Sequence, residues 1–136
     1  MRLLKPQIFS PSLAKLLSLS DELFGCDSGV NAYITPQPKS GQHTQGFAPH
    51  YDDIDAFLIQ LEGAKKWKLM QPPEAKDILS LKPSIDFKKE QLEGCKEFWN
   101  GVLKKGDLLY MPRGTVHFGK TVENLGHSTH ITISNQ

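Results

Sequence analysis

Ala56-Phe57-Leu58-Ile59-Gln60-Leu61-Glu62-Gly63-Ala64-Lys65-Lys66-Trp67-Lys68-Leu69-Met70 is the stretch on which the fold turns. Residues 56–61 and 66–70 read as two short strands on either side of Gly63, a turn residue. In the second run, alternation puts Lys65, Trp67 and Leu69 on one face and Lys66 and Lys68 on the other. Lys66 and Lys68 suit water. Lys65 shares the apolar face, where it either snorkels out at the strand end or needs an anionic partner, because an unpaired buried cation is costly.

The same reading extends in both directions. Residues 31–35, 98–103, 108–111, 116–122 and 129–134 are further short strands bounded by Gly, Pro and Asn-rich turns, the spacing of an all-β sandwich or barrel. Upstream, Ser10-Pro11 is a helix start, Leu13, Leu16, Leu17, Leu23 and Phe24 approximate its apolar stripe, and Gly25 ends it. This helix is expected to pack on the outside of a sheet. Residues 41–46 form a polar loop. Residues 72–94 form a long charged excursion with one or two short helices, and loops of that length usually serve function, here by covering a site.

Composition narrows the class. At 136 residues the chain is one domain, large enough to bury a core without covalent staples. A hydrophobic share of 38% excludes a disordered chain, and a net charge of +1 excludes a polyanion-coating or membrane-surface protein, so no direct nucleic-acid binding is expected. No apolar run is long enough to span a bilayer, and the start of the chain lacks a secretory signal. Cys26 and Cys95 form no metal-type pair and read as reduced thiols of an intracellular protein.

The five histidines are unevenly placed. His50-Tyr51-Asp52 puts an imidazole and a carboxylate two residues apart, where a strand aims both at one side. His117 follows the turn Met111-Pro112-Arg113-Gly114 and sits at a strand start facing a mouth, so it is the best third ligand. Two imidazoles and one carboxylate with open positions left over form the arrangement of non-haem Fe(II) oxygenases. Zinc also accepts such a set, and a lone His-x-Asp is more often a surface hydrogen-bonded pair. His43 reads as solvated, and His127 and His130 as structural histidines.

Taken together, the segments resemble the JmjC-domain ribosomal oxygenases, a family of protein-histidine hydroxylases with some claimed lysine demethylases. The matching stretches are 45–53, 60–67, 105–110 and 112–114 with His117, then 127–130, with Asn31 and residues 33–36 before them. The resemblance implies a double-stranded β-helix (cupin, jelly-roll) with an N-terminal flanking helix in 1–28, a core in 29–136 and a helical insertion. It implies that His50, Asp52 and His117 bind Fe(II), and that Lys65 binds the carboxylate of the cosubstrate 2-oxoglutarate, with O2 as the other reactant. Asn31, Tyr33 and Ser128 match pocket positions, and Arg2 matches an arginine near the substrate groove. The implied substrate is a protein side chain, histidine of a ribosomal protein or else lysine of a histone tail, and the implied compartment is the nucleus or nucleolus. Family members continue into a helical dimerisation region and a winged helix, so a catalytic core without its dimerisation region is expected. Phe118-Gly119 follows the distal histidine where relatives usually have Gln-Ala.

Overall fold

The computed structural model describes residues 1–37, 45–123 and 125–135. In chain order the elements are β1 (Arg2–Leu4), α1 (Pro11–Phe24), β2 (Ser28–Thr35), β3 (Asp55–Glu62), β4 (Ala64–Gln71), α2 (Lys89–Glu93), β5 (Lys96–Lys104), β6 (Leu108–Met111), β7 (Val116–Thr121) and β8 (Ser128–Asn135). All seven expected strands form. β1 is additional: three residues are too few to show a period, and it exists because the edge of β2 offers a ladder to pair with, Arg2 facing Tyr33. Segment 1–28 therefore supplies a strand as well as the helix. Most of the polar loop expected at 41–46, with His43, lies outside the described residues.

Two antiparallel sheets face each other as a double-stranded β-helix, one of five strands in the order β1-β2-β8-β3-β6 and one of three in the order β5-β4-β7. Beside β7 the smaller sheet has no regular fourth strand among the described residues. Residues 45–50 run along it instead and touch it at two isolated bridges, Gln45 to Lys120 and His50 to His117. The turn from β3 to β4 carries the chain from the large sheet to the small one. Its turn residue Gly63 has φ 61°, and a Cβ there would lie 1.8 Å from the His127 carbonyl oxygen, so only glycine fits.

Apolar packing occurs in three layers. Ala56, Leu58, Trp67, Leu69, Leu103 and Met111 fill the space between the sheets. On the outer face of the large sheet, Leu13, Leu16 and Leu17 of α1 pack against Val30, Ile131 and Ile133. Each such side chain contributes roughly 1.5–3 kcal/mol when fully buried, and this face, more than intrinsic propensity, holds a short helix in place. Leu23 is exposed, whereas Ser20 is buried one turn after Leu17 and donates from Oγ to Asn135 Oδ1. Ser10 caps the helix through the Leu13 N–H.

The third layer corrects an expectation. The 72–94 excursion does not cover the site: it lies on the outer face of the small sheet, where Phe87 and Leu92 pack on Tyr51, Met70 and Val116. The Phe87 N–H donates to the Pro49 carbonyl at 2.7 Å, the Ser84 N–H to the Tyr51 carbonyl at 3.0 Å, and the Tyr51 N–H to Ser84 Oγ at 2.9 Å. The excursion thus takes the place of a missing neighbour strand and props residues 49–51 from behind. Among the described residues no helix is long and apolar enough to cross a membrane, and Cys26 and Cys95 are free.

Candidate metal centre

The bridge between residues 45–50 and β7 makes His50 and His117 direct neighbours. The His117 N–H donates to the His50 carbonyl at 2.8 Å and the His50 N–H to the His117 carbonyl at 3.3 Å, so both side chains leave the same face with ring centroids 4.7 Å apart. The chain then departs from the ladder, with the Asp52 carbonyl accepting from the Gly114 N–H at 2.8 Å. That departure turns the Asp52 carboxylate back to the histidines. Oδ1 is 3.8 Å from His50 Nε2 and Oδ2 is 3.7 Å from His117 Nε2.

Both imidazoles are oriented by the backbone. Nδ1 of His50 donates to the Ala48 carbonyl at 2.7 Å, and Nδ1 of His117 to the Thr115 carbonyl at 2.9 Å. With Nδ1 carrying the proton, each Nε2 presents a lone pair, as metal-ligating histidines do. Burial first, and then the neighbouring His50, push the His117 pKa below its ordinary value, which favours the neutral ring. Two nitrogen lone pairs and a carboxylate thus face one another, their ligand atoms all within 4.8 Å. A divalent cation satisfies all three at once, and this donor set suits iron, manganese or zinc.

A cavity of about 150 Å³ opens beside the triad, lined among others by Arg2, Tyr33, Leu58, Lys65, Trp67 and Met111. Lys65 is 4% exposed. Its ammonium donates to Thr35 Oγ1 at 3.2 Å and lies 4.9 Å from the Trp67 ring, and no carboxylate among the described residues pairs with it. Burial pulls its pKa down to about 8. Its stem occupies a slot in β7: a Cβ on Gly119 would lie 2.8 Å from Lys65 Cε and 3.1 Å from the Trp67 ring. A buried cation without an anion, opening on a cavity beside a metal-type triad, has the chemistry to accept a small carboxylate.

Other sequence-derived positions fall into place unevenly. Arg2 and Tyr33, cross-strand partners, both line the cavity. Asn31 and Ser128 are not among its lining residues. Asn31 lies opposite Leu4 of β1, and Ser128 is fully buried and accepts from Gln60 Nε2 at 2.8 Å. His127 is exposed and pairs with Glu62 Oε2 at 2.9 Å. His130 is buried, stacks on Tyr33 at 4.9 Å and meets Trp67 edge-on at 5.4 Å. Among the described residues its Nδ1 has no hydrogen-bond partner, and burial, with the Lys65 charge second, pushes its pKa down to about 3. The sequence reading missed Phe47 and Thr35. Thr35 could have been reached through β2, whose alternation puts it on the same face as Tyr33, whereas nothing in the local pattern marks Phe47.

Comparison with known proteins agrees with this geometry. The sequence matches the family model of the JmjC domain over residues 2–136. It is 47% identical over 133 residues to a bifunctional lysine-specific demethylase and histidyl-hydroxylase NO66 from Drosophila mojavensis, covering 98% of this chain and 14% of that protein. It is 45% identical to ribosomal oxygenase 1 from Danio rerio, again over 98% of this chain and 23% of the relative. The chain therefore spans a quarter or less of the length of these relatives. Among solved structures it is similar to YcfD, a ribosomal oxygenase from Escherichia coli in complex with cobalt and 2-oxoglutarate, with a TM-score of 0.62 and 20% identity over 99% of this chain and 31% of that one. At that identity the likeness concerns the fold. With the family model covering nearly every residue and close relatives aligned along the whole chain, the chain belongs to the JmjC domain family.

Proposed function

We propose that the chain is an Fe(II)- and 2-oxoglutarate-dependent oxygenase core that hydroxylates a protein side chain, most naturally histidine of a ribosomal protein. His50 Nε2, the Asp52 carboxylate and His117 Nε2 would hold the iron, and Lys65 would take the far carboxylate of 2-oxoglutarate. The observation that carries this reading is the triad itself, two backbone-pinned imidazoles whose lone pairs face a carboxylate.

When bound, the iron and its cosubstrate supply the oxidative chemistry, coupling O2 and the decarboxylation of 2-oxoglutarate to the oxidation of a C–H bond. The residues of this chain do the rest. The carbonyls of Ala48 and Thr115 keep both imidazoles in the ligating tautomer. Holding the ion with three side chains, His50, Asp52 and His117, would leave it room for cosubstrate and O2. Lys65, held by Thr35, offers a charge-assisted contact for a carboxylate, and the Gly119 slot sets where its ammonium stands. Leu58, Trp67 and Met111 wall the cavity with apolar surface and limit the water that reaches it.

The names of the relatives carry both histidyl-hydroxylase and lysine-specific demethylase activities. Histidine as the substrate rests on that kinship, as does residence in the nucleus or nucleolus, which imaging of a tagged chain would check. The test of the core proposal is ligand linkage. Mn(II) with 2-oxoglutarate at about one hundred times its Kd should stabilise the protein by about 2.7 kcal/mol and raise Tm by several degrees. Peptides incubated with Fe(II), cosubstrate and O2 should then gain one oxygen on histidine by mass spectrometry. A Tm indifferent to both ligands would reduce the chain to a silent binding domain.

A further inference from the structure

The charges lining the cavity do not balance in the way a cationic substrate requires. Among the described residues around it, the charged side chains are Arg2, Asp52 and Lys65. Under the proposed function, the divalent ion and Lys65 together offset the Asp52 carboxylate and the two carboxylates of 2-oxoglutarate. The inner site is then neutral overall, and Arg2 is the charge left over at the mouth.

Arg2 is held there. β1 pairs it directly with Tyr33, and Leu3 and Leu4 extend the ladder to Ala32 and Asn31. Its guanidinium lies 5.8 Å from the centre of the Phe47 ring, and its positive charge acts on the neighbouring Tyr33 hydroxyl. Phe47 is half exposed, edge-on to Tyr33 at 6.0 Å and to His50 at 6.1 Å, so it bridges the mouth and the triad. The π-face that could attract a substrate cation already has a resident guanidinium over it.

We infer that Arg2, seated on Phe47 and Tyr33, is a charge filter that admits an uncharged planar side chain such as imidazole and turns away a methylated ammonium. This rests on the proposed function and adds to it the residue that selects the substrate. A trimethylammonium group approaching the ion must pass a fixed like charge in a partly dry cavity, which disfavours entry by roughly tenfold or more. A neutral imidazole meets no such barrier, and Phe47 and Tyr33 offer it ring edges and faces to pack on.

The experiment uses the 136-residue chain loaded with Mn(II) and 2-oxoglutarate, and reads the paramagnetic broadening of probe protons by NMR. The probes are N-acetyl-histidine methylamide and N-acetyl-ε-trimethyllysine methylamide. In the unvaried protein the imidazole protons should broaden and the trimethylammonium protons should stay near the level seen with free Mn(II). Trimethylammonium broadening should then grow from Arg2→Gln to Arg2→Glu, by roughly tenfold or more at the second. Trimethylammonium signals already broadened in the unvaried protein, or flat across the series, would overturn the filter, as would failure of the imidazole to broaden. The methylene protons of 2-oxoglutarate, read in the same samples against His117→Ala, report on the proposed function separately. If they do not sense the metal, the proposed function fails; if they do while the trimethylammonium series stays flat, only the filter fails.

Discussion

The two sheets of this domain divide stability and chemistry between them. In the large sheet, β2, β3 and β8 are each eight residues long and pair with few irregularities, and their outer face is closed by α1. The small sheet is narrower, with three strands against five. Its fourth strand is reduced to two bridges, and it is backed by an excursion in place of a helix. Yet His50, Asp52, His117 and Lys65 all belong to the small sheet or to the segment beside it, and the large sheet contributes the mouth through Arg2 and Tyr33. The difference teaches how ligands converge. A single antiparallel bridge can set two side chains abreast, as it does His50 and His117, but a third must come from a chain that leaves that pairing, as Asp52 does at its contact with Gly114.

The contrast predicts that damage to the small sheet removes chemistry while damage to the large one removes stability. The largest effect is expected for Asp52→Ala, which should abolish both turnover and the Tm rise with Mn(II) while leaving a folded domain. A variant that keeps the Tm rise would dissociate Asp52 from the metal.

Next in size is an acid sensitivity located in the large sheet. The His130 pKa is pushed from 6.5 to about 3 by burial, so between these values the unfolded chain binds the proton that the folded one refuses. Stability should therefore fall as pH drops below 6.5, by roughly 4 kcal/mol near pH 3 in urea unfolding. His130→Phe should flatten that part of the profile, and an unchanged slope would assign the acid sensitivity elsewhere.

A smaller effect belongs to Lys65. Because its pKa is lowered to about 8, the folded state refuses a proton that the unfolded chain still binds up to 10.5, and folding stability should rise with pH across that window. Binding of 2-oxoglutarate should go the other way: flat below about pH 8, then weakening as the amine loses the proton that the ion pair needs. Calorimetric titration of Lys65→Ala should show affinity lower by roughly 1.5–3 kcal/mol and little pH dependence above 8. The smallest effect is at Gly119→Ala, whose added methyl would lie 2.8 Å from Lys65 Cε. A few-fold loss of 2-oxoglutarate affinity is expected, and no further loss when the change is made on Lys65→Ala, since the two act through one side chain.

Much of this was legible from the sequence because it depends on local periodicity. Seven strands, the helix with its cap, and the inward aim of Lys65 all follow from alternation or from a stripe. His50-x-Asp52 proposed two ligands, the turn before His117 proposed the third, and family resemblance implied that the three bind iron. The 72–94 excursion was found, but its place was not, because a polar loop carries no period to say which face it will cover.

Side-chain direction along each strand was thus settled by the order of residues, since it is a property of a few neighbours in the chain. Register was not. The pairing of His50 with His117, the glycine slot around Lys65 and the seat of Arg2 on Phe47 join residues between 45 and 67 positions apart, and no local pattern encodes which ladder positions will meet. Those meetings arise when two sheets bury a shared core, and burying that core is what brings an otherwise scattered set of polar groups around one cavity.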